Sequence, residues 1–130
     1  MFTLTLLISA LLSFQTSTAS TAINTKDLLV QQKWQLNKQV FSSHDVTGTD
    51  SNTVAGNKND YIEFRSDGTA LISYKGNKDI LEYKIVNDNV LSFGIHSYTI
   101  TQLNNHTLHL YQNEEEPNGD YNREWLELQK

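Results

Sequence analysis

Short runs of alternating apolar and polar residues recur roughly every eight to twelve positions. They follow an apolar amino-terminal leader and are separated by Asp-Gly, Gly-Asn, Asn-Asp-Asn and Asn-Asn. Period-two alternation broken by such turn formers predicts antiparallel strands, and this many short strands predicts a sheet that closes or folds on itself. Eight strands are predicted: Trp34–Val40, Tyr61–Arg65, Thr69–Tyr74, Ile80–Val86, Val90–Phe93, His96–Leu103, Thr107–Gln112 and Tyr121–Gln129. A helical turn over Lys26–Gln32, capped by Thr25, precedes them and should plug or flank one end. The fold class is therefore all-β, an eight-stranded antiparallel up-and-down barrel with a short helical turn at its amino-terminal side.

Register follows from keeping apolar opposite apolar. A three-residue Ser66-Asp67-Gly68 loop, with Gly68 left-handed, pairs Phe64 with Ala70 and Ile62 with Ile72. A two-residue loop would set Phe64 against Leu71 and Ile62 against Ser73, so the first register is preferred. In the last strand either Leu126 and Leu128 face inward or Trp125 does, and the leucines are preferred. Successive reversals send the short connections at 66–68, 87–89 and 104–105 to one end, the base. The polar stretch 42–59, the 75–78 turn, Gly94-Ile95 and the stretch 113–120 fall at the other end, the mouth. Long connections usually carry function or mobility, which makes the mouth the expected binding end.

Trp34, Phe64, Ala70, Ile85, Leu91, Ile100, Leu108 and Leu128 are expected as a lower core layer. Ile62, Tyr74, Leu81, Tyr83, Phe93, Tyr98 and Leu110 form the expected mouth layer and are the candidate ligand-binding residues. Each tyrosine offers a flat apolar ring and a hydroxyl that needs a partner when buried, which suits an amphipathic ligand.

These residues carry a family likeness. Lys33-Trp34-Gln35-Leu36, the Tyr61-to-Thr69 strand–turn–strand, Tyr83-Lys84-Ile85 and Tyr98-Thr99-Ile100 resemble the lipocalin-like barrels, particularly the small secreted bacterial lipocalin-like domains, over roughly residues 33 to 129. The resemblance implies an eight-stranded up-and-down barrel with a ligand cavity at its mouth and a lid in the long first loop. It also implies an Arg late in the last strand stacked over the first-strand Trp, for which Arg123 is the candidate. Gln32 stands where that family usually carries Gly.

The chain of 130 residues contains no Cys and has a net charge of −5. It has room for one domain, no disulfide or thiolate site, and no basic face for nucleic acid. Phe2 to Phe14 followed by Ser17-Thr18-Ala19 and Ser20-Thr21-Ala22 reads as an export signal over residues 1–22, with the barrel over 23–130. A secreted or periplasmic monomer without a membrane anchor after cleavage is expected. Around the mouth, Asp45, Asp50, Asp60, Glu114, Glu115, Glu116 and Asp120 outnumber Lys58, Lys75 and Lys78. Such a field repels an anionic ligand and tolerates a neutral or cationic one.

Candidate chemistry adds little. None of the Ser, His or phosphate-loop motifs of known catalytic centres is present, so no catalytic residue, cofactor or enzyme activity is expected. His44, His96, His106 and His109 read as surface residues, and consecutive carboxylates at 114–116 as solvated charge, so no metal site is expected. The expected function is binding of a small apolar or amphipathic molecule at the mouth. The alternative is a filled barrel acting as a protein-interaction or inhibitor module through its 42–59 and 113–120 loops.

Overall fold

The structure, a computed structural model, describes residues 24–30 and 33–130. The elements are a helical turn α1 (Thr25–Leu29) and nine strands: β1 (Trp34–Asp45), β2 (Gly48–Ala55), β3 (Tyr61–Phe64), β4 (Thr69–Tyr74), β5 (Asn77–Asn87), β6 (Val90–Phe93), β7 (His96–Leu103), β8 (Thr107–Glu115) and β9 (Tyr121–Gln129). β3 to β9 pair antiparallel in chain order, and β1 closes the ring by pairing with β9 on one side and β3 on the other. Eight strands thus form a closed antiparallel barrel, compatible with a lipocalin-like fold, and β2 is an additional ninth.

The predicted hairpin at 66–68 forms as expected. Gly68 sits at φ +90°, Phe64 faces Ala70 and Ile62 faces Ile72. Asp67 fixes the turn by accepting the Thr69 amide and hydroxyl, and these bonds hold its carboxyl below the usual carboxylate range. Leu126 and Leu128 face the core while Trp125 lies on the outer surface, as the preferred phase required.

At the base, α1 caps the barrel. Asn24, not Thr25, is its N-cap, with the Asp27 amide donating to Asn24 Oδ1. The Thr25 hydroxyl instead donates to the Asp88 carbonyl, and Lys26 Nζ to the Ser66 carbonyl, so the turn is tied to two base loops. Its hydrophobic residue Leu29 is fully buried, and the buried Trp34 indole donates to the Leu29 carbonyl at 3.0 Å. The cation over Trp34 is Lys130, 4.8 Å from the ring centroid. Arg123, the candidate for that place, lies instead over Tyr121 at 3.8 Å.

Three expectations are corrected. Residues 42–59 are not a lid loop: β1 runs on to Asp45, turns at Val46-Thr47, and β2 returns along it from Asp45↔Gly48 to Lys38↔Ala55. β8 likewise extends through Glu115, so the 113–120 loop shrinks to a turn before β9. The mouth therefore carries a raised flap of four strands, β2–β1–β9–β8, rather than two loops. The third correction is a bulge at Asn37 between Leu36 and Lys38, which shifts the alternation of β1 by one position. Unbroken alternation from Trp34 would put Val40 inside; the bulge turns the buried Gln39 inward instead.

The connection back to the barrel is tight. Gly56 packs against the Leu36 backbone, where a Cβ would collide with the carbonyl oxygen. Asp60 is buried, accepting the Asn57 amide on one oxygen and the Lys75 amide on the other. The second bond steadies the two-residue Lys75-Gly76 turn, in which Lys75 (φ +49°) and Gly76 (φ +84°) are both left-handed.

Candidate functional site

The barrel interior has two zones. The base is filled: Trp34, Phe64, Ala70, Leu91, Leu108 and Leu128 are buried and belong to one hydrophobic cluster. Aromatic rings then climb from this base. Phe64 meets Tyr83 edge-on at 5.1 Å and lies tilted against Phe93 at 5.7 Å, and Phe93 meets Tyr98 edge-on at 5.8 Å. Edge-to-face contacts of this length are favourable and fix ring orientation.

Above the ladder the interior opens into a cavity of about 220 Å³. Five of the seven candidate residues line it: Ile62, Tyr74, Leu81, Phe93 and Tyr98. Leu110 is buried in the core and does not line it. Tyr83 is placed differently from expectation. It sits in the base layer, donating its hydroxyl to the Arg65 carbonyl at 2.7 Å, and burial raises its pKa. Strand stagger explains the difference, since alternation gives the face of the sheet but not the height along a tilted barrel.

Most of the wall is apolar, so the polar groups concentrate at the upper end. Glu124 on β9 shares the inner face with Leu126 and Leu128 and faces Phe41 across β1. Its Oε2 accepts from Gln39 Nε2 at 2.6 Å, and its Oε1 accepts from the Tyr98 hydroxyl at 2.7 Å. The Tyr74 hydroxyl donates to Gln39 Oε1 at 2.6 Å, which fixes the amide so that its NH₂ group faces Glu124. The Tyr98 pKa is pushed upward, first by burial and then by its hydrogen bond to the carboxylate. Two tyrosines, an amide and a carboxylate thus form one connected network at the cavity mouth.

A shelf continues from Glu124 up the flap, lined by Phe41, Ser43, Gln112, Glu114, Asn122 and Arg123. His96, at the start of β7, borders the cavity. Its Nδ1 is 3.2 Å from Gln112 Nε2 and 3.7 Å from Glu114 Oε1. Among the described residues, no group of three or more His, Cys, Asp or Glu side chains is arranged to hold a metal ion.

Sequence reasoning missed Gln39, Tyr61, Ile72, Ser73, His96 and Glu124 in the cavity wall. For Glu124 the signal was there: it is two residues before Leu126 and four before Leu128, on their face of a strand. For Gln39 it was not, because the bulge at Asn37 leaves no mark in the pattern.

No family model matches the chain, and neither a curated protein nor a solved structure matches it significantly.

Proposed function

We propose that the protein is an exported, lipocalin-like binding domain that holds one small apolar or amphipathic molecule in the barrel cavity. The observation that carries this reading is the cavity itself, about 220 Å³ with an apolar wall and hydrogen-bonding groups gathered at one end. A cavity of about 150 Å³ accommodates benzene, so this one suits a body on the order of ten non-hydrogen atoms. A ring of that size buries on the order of 200 Å². At about 25 cal/mol per Å² this is about 5 kcal/mol of gross stabilisation before ordering costs. The Tyr74–Gln39–Glu124–Tyr98 network would orient the polar end, and the four-stranded flap would shelter it. The proposed leader, residues 1–22, lies outside the described residues.

Native mass spectrometry of the protein from its own exported compartment tests the reading. The expected result is a discrete added mass that denaturation releases, on a chain starting near Ser20 or Ile23. An unloaded protein that also takes up no small apolar compound from a screened set would overturn it.

β2 favours a second reading, a protein-interaction module. Every residue of this strand except Val54 is exposed, and its outer edge pairs with no other described strand. Such an edge can accept a strand from a partner. Under that reading Phe93→Ala would leave partner capture intact, whereas Asn52→Pro in β2 would abolish it.

A further inference from the structure

The polar end of the cavity carries a negative charge that its neighbours hydrogen-bond but do not neutralise. Both oxygens of Glu124 accept from neutral donors, Gln39 and Tyr98. Among the described residues, no Lys, Arg or His nitrogen lies within ion-pair distance of it. The nearby basic groups have other partners: Lys38 pairs with Glu127, Arg123 covers the Tyr121 ring and donates to Asn113, Lys75 lies over the face of Tyr74, and His96 at the cavity edge faces Glu114. A second carboxylate, Glu114, reaches the same rim from β8; His96 Nδ1 lies 3.7 Å from it, and Arg123 lines the same shelf.

A partly desolvated carboxylate with spare acceptor capacity discriminates strongly among ligands. An anionic ligand meets repulsion at the mouth. A neutral one displaces water from the carboxylate without returning its charge. A cation restores the lost solvation with a charge-assisted hydrogen bond, while Phe93 and Tyr98 offer ring surface to its apolar body. We propose that the cavity is built for a small amine, with an apolar body on the aromatic ladder and an ammonium group on Glu124, facing Glu114. This rests on the small-molecule reading above and specifies its ligand class.

Three probes with the same ring body separate the possibilities: phenethylamine, phenethyl alcohol and phenylacetate, titrated calorimetrically into the purified protein at neutral pH. The expected order is amine tightest by at least tenfold, alcohol next and carboxylate weakest, with the amine advantage shrinking as salt is raised. Glu124→Gln keeps the side-chain shape; it should weaken the amine at least tenfold and leave the alcohol within about twofold. Alcohol binding as tight as amine, or an amine preference that survives Glu124→Gln, overturns the proposal while leaving a ligand-binding cavity in place. Failure of the amine to bind overturns the proposal; only if the native protein is also unloaded and the wider screen empty does the small-molecule reading fall with it. Should Glu124→Gln not fold, the wild-type order and its salt dependence decide alone.

Discussion

Leu→Phe should change sign between two positions on the same barrel. Leu81 borders the cavity, whereas Leu108 is fully buried in the packed base. Empty apolar volume costs about 24 cal/mol per Å³. A dry cavity of about 220 Å³ therefore carries at most about 5 kcal/mol of unrealised packing. The extra atoms of a Phe at Leu81 occupy roughly a tenth to a fifth of that space, so Leu81→Phe should stabilise the fold by about 0.5–1 kcal/mol. At Leu108 the same atoms have nowhere to go, and overpacking should cost about 1–3 kcal/mol. Urea unfolding, followed by the fluorescence of the buried Trp34, reads both values on one scale. Leu81→Phe should also weaken any bound ring compound by at least tenfold, because it occupies the ligand's place. If both substitutions destabilise to a similar extent, the interior is filled from base to mouth and the small-molecule reading loses its footing.

Two further outcomes follow from the same geometry. Gly56→Ala should destabilise by about 2–4 kcal/mol, because its Cβ meets the Leu36 carbonyl, backbone that cannot step aside; an unchanged urea midpoint would refute that packing. Tyr98 and Tyr83 hold their protons more tightly in the folded state than at the reference value of 10.0, so their contribution is intact below about pH 10 and is lost as pH rises beyond it; Tyr98→Phe should flatten this alkaline decline, and parallel profiles would show that Tyr98 plays no part in it.

How far the sequence could be read depended on where side chains do the specifying. In the base, burial of alternate residues dictates both face and register, so Phe64↔Ala70, the Gly68 turn and the inward leucines of β9 were legible. β2 was not. Thr49, Asp50, Ser51, Asn52 and Thr53 are all exposed, so nothing in their pattern distinguishes a strand from a loop. Backbone pairing with β1 makes that strand, and pairing is invisible to composition. The same limit hid Gln39, whose inward turn comes from a one-residue bulge. Glu124 was legible in principle: once Leu126 and Leu128 are set inward, period two carries the carboxylate in with them. Reading the inner face as wholly apolar set that consequence aside, and with it the most informative polar group in the barrel. Tyr83 illustrates a different gap, because height within a barrel depends on strand tilt and stagger rather than on local pattern.

The ring of strands is not uniformly joined. β1 meets β9 from Gln35 to His44 but meets β3 only at Trp34↔Ile62 and Gln35↔Tyr61, with one further bond from the Leu36 amide to the Asp60 carbonyl. A hoop parts at its shortest joint, and this one runs beside Leu36, Tyr61 and Ile62 in the cavity wall. Opening there separates few backbone hydrogen bonds but uncovers Trp34 and Ile62, so packing rather than strand pairing holds the wall shut at this join. Loss of that packing, as in Ile62→Ala, should raise amide exchange along this join more than along the β1–β9 pairing. A molecule could then enter sideways through a seam, with the flap overhead remaining folded throughout.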